Sequence, residues 1–546
     1  MARIRARSAM GIGLAVVLVV GAIGGWMFFR SDGGDKEPIV VGSTSTPSML
    51  DPGGAYDAGA AMMVSNLYQS LLTYVPGNEQ PVPDAAEACD FDNDDLTVFR
   101  CTLREDLTFS TGRLMTPADV KFSYDRILAM AERAEQDEAD DSIPAEEKFN
   151  YAGPSSLLAS LESVTVDGRD IVFQLNQPDA TFPFIVAGSA GAIVDSESYE
   201  ELEPRDDGSV VGSGPYTLTA YEPTEYAELE PNPDYRGANE RAEFPIRVRW
   251  FTEAEDGTAA DQLLARAWED GEVDVNDGKM PPEVLAEINP ADPDHRFSES
   301  AASSIRVMGF NTREGAPMAD DALRSAAAAM LDREAITRHV HENAVEALYS
   351  LIPVGFAGHG TPYYDQYRDT DPEELRDELE AAGYELPVPF DLAYSRGVQN
   401  HEEAEVITRQ LEADGLFDVT TTYYDWSEFI PQIYSSAPFD AYVVGWVADY
   451  PDPAAFTDVL LGEGDGLNTG YSDAEINDLI AQTRNEPDRG LAADRFKHIH
   501  ELASEAASIV PIFQDKRITL SAEDITGIQH LSSSSTVWRL WELRRI

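Results

Sequence analysis

The sequence predicts an α/β protein of several domains set behind one membrane-spanning helix. Three observations lead there. Its 546 residues are too many for a single apolar core, at a globular 43% hydrophobic content. Strand-like and helix-like segments alternate along the chain. Residues 8–29 hold no charge and are long enough to cross a bilayer as a helix.

The elements follow in chain order. Arg3, Arg5 and Arg7 precede the apolar run, which puts the N-terminus in the cytoplasm and everything beyond Arg30 outside. Ala22–Ile–Gly24 resembles a signal-peptidase site, but Trp26–Met–Phe–Phe29 close behind is a poor mature start. An uncleaved anchor is therefore expected. No cysteine lies near the run, so a lipid anchor is excluded. Residues 31–37 form a short polar tether. The net charge of −60 repels nucleic acid and suits cationic or zwitterionic small molecules, or simply a surface that stays soluble in a salty medium.

Cys89 and Cys101 flank Asp90–Arg100, a turn centred on Asp92–Asp95 with β-rich arms. A hairpin would bring the two sulfurs face to face across its strands, oxidised outside the membrane. The Asp90-x-Asp92-x-Asp94 spacing does not make a calcium loop, because Asp95 stands where glycine is required and Cys101 where the bidentate Glu belongs. Thr116 before Pro117, with Asp119 in the first turn, predicts a helix start. The acidic run 131–142 reads as a solvated helix extension or loop.

The most informative stretch is Tyr442–Pro453. Tyr442–Val447 reads as a short buried strand that stops at Asp449–Tyr–Pro–Asp–Pro453, where two prolines end it. Asp452 before Pro453 is an N-cap for a helix over Ala454–Leu461. Trp446 and Asp449 thus sit at a strand end beside a helix start, where α/β scaffolds place ligand-contacting groups. A partly dehydrated Asp there needs a partner, and a ligand ammonium is a good one. The plainer alternative leaves Trp446 in the core and Asp449 shaping the turn.

Other chemistry is not supported. Ala187 precedes Gly188–Ser–Ala–Gly191 where a nucleophile elbow has glycine. His339-x-His341 and His498-x-His500 fall on helices, where residues two apart diverge. No phosphate loop or dinucleotide fingerprint is present. Neither a catalytic set, a metal site nor a cofactor is expected.

The stretch Leu103–Arg–Glu, Phe109, Gly112, Met115–Thr–Pro–Ala–Asp–Val–Lys–Phe–Ser123 resembles the signature of the extracytoplasmic solute-binding proteins of family 5, the oligopeptide/dipeptide/nickel-type receptors of ABC importers. Asn66–Tyr74 is similar to the family's early helix. Gly212–Leu218 with Leu229–Gly237, Val307–Thr312 with Leu323–Ile336, Gly445–Pro453 and Ile509–Phe513 extend the likeness in order along the ectodomain.

The resemblance implies a two-lobed, three-domain periplasmic-binding-protein-like clamp (type II, cluster C). Domain I would comprise 38–66, 206–300 and 511–546, domain II the insertion 67–205, and domain III 301–510, behind the anchor at 1–30 and linker at 31–37. It implies a monomeric, membrane-anchored, non-enzymatic receptor. That receptor would close on a peptide or other small molecule and deliver it to permease and ATPase subunits. Asp449 would pair with a peptide's α-ammonium, Trp446 would pack beside the ligand, and Asn468 would bond its backbone. The alternative is the same fold serving an oligosaccharide, siderophore or nickel chelate, or a membrane-tethered interaction protein. Arg306, Arg313 and Lys516 are basic residues near the expected lobe junctions, none placed on a ligand carboxylate.

Overall fold

Short β-branched and aromatic runs bounded by proline or glycine build one long sheet that both lobes share. The structure, a computed structural model, describes residues 36–546 apart from 79, 141, 240, 255, 436, 437, 465 and 532–536. The expected anchor at 8–29 lies outside the described residues. Among those described, no helix is long and apolar enough to cross a membrane.

In the first lobe, β1 (Ile39–Ser43) leads through α1 (Ala58–Leu67) to a four-stranded antiparallel layer. That layer comprises β2 (Ala86–Phe91), β3 (Val98–Leu103), β4 (Leu161–Asp167) and β5 (Asp170–Leu175). α2 (Pro117–Ala139) packs on it, started as expected by a Thr116/Asp119 capping box with Pro117 in the first turn. Its C-terminal half carries much of the acidic run into solvent. β2 and β3 pair with Cys89 opposite Cys101, and the two sulfurs are bonded. Closing so short a loop adds about 3 kcal/mol. The chain then makes β6 (Tyr216–Glu222), β7 (Tyr226–Pro231), β8 (Ile246–Trp250), α3 (Ala260–Glu269) and β9 (Val275–Asn276).

β10 (His295–Phe310) carries the chain into the second lobe. There β11 (Val388–Ser395), α4 (Val398–Glu412), β12 (Phe417–Tyr424), α5 (Trp426–Tyr434), β13 (Ala441–Val447) and α6 (Ala454–Leu461) follow. β14 (Ile509–Ala522) returns to the first lobe. The main sheet runs β12-β11-β13-β10-β14-β9-β1-β8-β7-β6, with Val345–Ala347 added to β14.

Two strands therefore belong to both halves. β10 pairs with β14 from His295↔Ala522 to Gly309↔Ile509, and the ladder slips between Ala301 and Ile305. Polar groups at this irregularity are satisfied locally. Ser304 Oγ donates to Asp515 (2.7 Å), and Gln514 Nε2 donates to the Ala302 carbonyl (2.8 Å). This two-strand ribbon runs through both halves of the long sheet.

Three apolar cores fill the molecule. One, from Ile305 to Phe513, belongs to the second lobe, and a small one packs around Leu264 and Leu520. The third joins β1, β7 and β8 to the four-stranded layer in one interior, so the segments expected as domains I and II share a core. The early helix departs from expectation. It covers Ala58–Leu67, and Asn66–Tyr74 holds only its last two residues before a strand at Leu72–Thr73. Gly212 and Gly214 approach the backbone of Asn66–Tyr68 too closely for any side chain, and the chain turns there.

Candidate functional site

β13 delivers the site because its two ends have different surroundings. In the body of the strand, Leu392↔Ala441, Ala393↔Tyr442 and Tyr394↔Val443 pair it with β11. Beyond Val443 the pairing with β11 stops, since β11 ends at Ser395, while β10 stays paired on the other side as far as Val447. The Asp440 carbonyl and the Ala448 N–H both bond to the β10 side. By the two-residue period of a strand, the N–H and C=O groups of Gly445 and Val447 point the other way. No strand among the described residues lies along that edge. Gly445 and Val447 are both exposed, Val447 at 58%.

Asp449 stands two residues past this edge. Its carboxylate accepts the hydroxyl hydrogen of Tyr56, which lies in the first lobe just before α1. Tyr56 keeps 42% of its surface exposed although protein crowds its hydroxyl, as befits a residue in a crevice. Burial, then the neighbouring Asp449, push the tyrosine's proton affinity up, so it stays a donor. Burial likewise raises the Asp449 pKa above the usual carboxylate value, and the Tyr56 bond partly offsets this.

The lobes also touch where the Ala180 N–H donates to the Arg484 carbonyl (2.9 Å) and where Tyr450 packs against both large cores. Asp449 therefore lies just past the C-terminal end of β13, where Tyr450 touches both large cores and Tyr56 reaches across.

Trp446 is half-buried on the face opposite Gly445, and its Nε1 donates to the Ala455 carbonyl of α6 (3.0 Å). It braces the strand end beneath Asp449. Asp452 is different again. Its Oδ1 caps the Ala454 N–H (2.9 Å), and Arg489 grips both oxygens at 2.6 and 2.7 Å in a buried fork. Pro453 is helical in backbone, so the expected capping order holds.

The structure does not bring Asn468 to this place. Asn468 sits near the start of β13, beside Leu467, whose carbonyl accepts the Tyr442 hydroxyl. The strand from Tyr442 to Val447, roughly 17 Å at about 3.3 Å per residue, runs away from the Tyr442 end towards Asp449. The Asn468 amide donates to the Ile433 carbonyl (2.7 Å), its own carbonyl takes Arg313 (2.5 Å), and its φ is +53°. Asn468 shapes a turn.

The basic candidates are engaged as well. Arg306 pairs with buried Glu403 (3.2 Å), Arg313 holds Asn468 and Asn311, and Lys516 meets Glu299 (3.5 Å). The lining of a small cavity between Ser70, Asp84, Gly188 and Tyr235 does not include Asp449.

Sequence reasoning missed Tyr56 and the open edge. A glycine inside an apolar strand signals close backbone approach, and Gly445 carried that signal.

Comparison with known proteins places the chain. The pattern of the bacterial extracellular solute-binding proteins, family 5 Middle, matches residues 80–468. Dipeptide-binding protein DppE of Bacillus subtilis (strain 168) is 22% identical over 508 residues, covering 90% of this chain and 89% of that one. Di/tripeptide-binding protein 2 of Pseudomonas aeruginosa (strain UCBPP-PA14) is 24% identical over 516 residues, covering 90% and 92%. Among solved structures, the dipeptide-binding protein of Pseudoalteromonas sp. SM9913 in complex with Met-Leu aligns with TM-score 0.72 at 19% identity, over 93% of this chain and 100% of that one. That likeness shows a mixed α/β, periplasmic-binding-protein-like fold.

Proposed function

Since this chain belongs to the bacterial extracellular solute-binding proteins of family 5, we propose that it is a peptide-binding receptor of an ABC importer. It captures a short peptide between its lobes and presents it to permease subunits driven by ATPases. One observation carries the reading. A strand edge at Gly445 and Val447, along which no strand lies among the described residues, runs up to the Asp449 carboxylate, with the Tyr56 hydroxyl reaching the same group. A peptide is the ligand that fits. Its main chain can bond along the edge, and its α-ammonium can meet Asp449. The named relatives that bind di- and tripeptides support this choice.

Ligand that bridges Asp449 and the first lobe stabilises the closed arrangement, which is what a clamp requires. Trp446 holds the strand end in place for that contact. The reading needs no catalytic group, and the protein acts as a monomer. Residues 8–29 serve as an uncleaved anchor that keeps the receptor at the outer face of the membrane. N-terminal sequencing of membrane-extracted protein tests the anchor, and a start at Gly25, just past Ala22–Ile–Gly24, or beyond would remove it.

Isothermal calorimetry tests the ligand. Trialanine should release heat on binding, and N-acetyl-trialanine, which lacks the ammonium, should not. Equal affinity for the two would overturn the role of Asp449, and silence with every di- to pentapeptide would overturn the peptide reading.

A further inference from the structure

Several buried carboxylates of this protein meet a guanidinium. Asp51, Asp119, Asp195, Asp277, Glu403 and Asp452 each lie within ion-pair distance of an arginine. Asp84, just past the short strand Val82–Pro83 and only 3% exposed, has no arginine or lysine at that distance among the described residues. Its three donors are all neutral. Oδ1 accepts the Tyr235 hydroxyl (3.0 Å) and the Ala238 N–H (2.7 Å), and Oδ2 accepts Gln69 Nε2 (3.1 Å). An ionised carboxylate offers about four acceptor positions, so one on Oδ2 is left over. Burial raises the Asp84 pKa above the ordinary carboxylate value, and the Arg104 charge offsets this only from longer range. A buried charge in this position is costly unless something positive meets it.

Asp84 also lines the small cavity bounded by Ser70, Gly188 and Tyr235. The remaining polar lining is rich in oxygen, with Ser65, Thr73, Ser189 and Asn239 contributing. The hydroxyls of Thr73 and Ser189 bond to no protein group among the described residues. Those of Ser65 and Ser70 donate to the Ala61 and Gly188 carbonyls, which leaves their lone pairs unused. Apolar cavities stay dry, whereas one lined like this takes water or an ion. The guest that offsets one carboxylate carries one positive charge. Calcium and magnesium are held by more oxygen ligands and more charge than this. No group of three or more acidic, histidine or cysteine side chains placed to hold a metal occurs among the described residues.

We infer that this cavity is a binding site for a monovalent alkali cation, sodium or potassium, held by the Asp84 carboxylate with the hydroxyls of Thr73 and Ser189. The site has a structural task. Ser65 belongs to α1, Thr73 and Ser189 to the segment 67–205, and Tyr235, which bonds Asp84, to the segment 206–300. A cation there ties three separate stretches of the first lobe together, so the stability of the protein depends on which salt surrounds it. The inference stands apart from the peptide reading, because Asp449 takes no part in the lining.

The test is thermal unfolding of full-length, detergent-solubilised protein at one ionic strength, in sodium, potassium or N-methyl-D-glucamine chloride. N-methyl-D-glucamine screens the acidic surface but is too large to enter the cavity. At least one alkali salt should raise the Tm by about 2 °C or more above the N-methyl-D-glucamine value. Asp84→Asn keeps the shape and removes the charge, and should abolish most of that gain, while Thr73→Val should shrink it. In crystals of the unmutated protein soaked in thallium(I) acetate, an anomalous peak should lie against the Asp84 carboxylate, which decides the matter even where Asp84→Asn does not fold. Equal Tm in all three salts, a gain that Asp84→Asn keeps in full, or a soaked crystal with no peak at Asp84 would each overturn the site and leave water as the guest.

Discussion

Asp449 and Asp452 lie three residues apart in one turn, and their surroundings divide structure from function. Asp452 is buried, caps α6 and is forked by Arg489. Asp449 faces the crevice between lobes, and a tyrosine from the far lobe reaches it. The same residue type in Asp–Tyr–Pro–Asp–Pro is thus a structural pin at one position and the proposed ligand group at the other. A buried guanidinium makes the first inert to ligand. Partial dehydration, with the Tyr56 hydroxyl among its neighbours, raises the pKa of the second.

The largest effect should come from Asp452→Ala. It strands the buried Arg489 charge and should lower stability by about 3–5 kcal/mol in urea unfolding. A loss below about 1 kcal/mol would erase the contrast from the structural side. Asp449→Asn should do the reverse. Stability should change by under about 1 kcal/mol, while peptide affinity falls at least roughly thirtyfold, the worth of about 2 kcal/mol for a hydrogen bond to charge.

The next effect is in pH. Because the Asp449 pKa is raised by burial, the carboxylate form that binds an ammonium is fully present only above that raised value. Affinity should decline with falling pH before an ordinary aspartate would protonate, and Asp449→Asn should flatten the profile. An unchanged profile would mean that another acid holds the ligand. Smallest of all, Tyr56→Phe removes a cross-lobe bond. It should slightly raise the radius of gyration of the peptide-free protein in X-ray scattering and leave the peptide-bound value unchanged. No difference in either state would show that this bond does not help to hold the lobes together.

What the sequence could reveal was local. The strand at 442–447, the Asp452–Pro453 helix start, the Thr116 cap and the Cys89–Cys101 hairpin each depend on residues within about a dozen positions, and each formed as expected. Tyr56 could not be found this way, because 393 residues separate it from Asp449. The open edge was equally hidden, since it exists only because β11 leaves β13 after Tyr394. Asn468 was assigned by likeness of motif, but a left-handed backbone and an amide tied to Ile433 give it another task at the other end of the strand. Family resemblance carried the mixed α/β, periplasmic-binding-protein-like fold. It could not show that the first lobe and its insertion share one interior.

β14 spans residues 509–522 and supplies hydrogen-bonded neighbours to both halves of the long sheet. Until that stretch has been made and exported, the central gap in the sheet stays unfilled, whatever has formed before it. Neither half can finish early, so a ribosome or translocon that stalls short of residue 509 leaves β9 and β10 without their common neighbour. The long sheet is therefore complete only once residues 509–522 are in place, and chains truncated before them leave strand edges open in both halves.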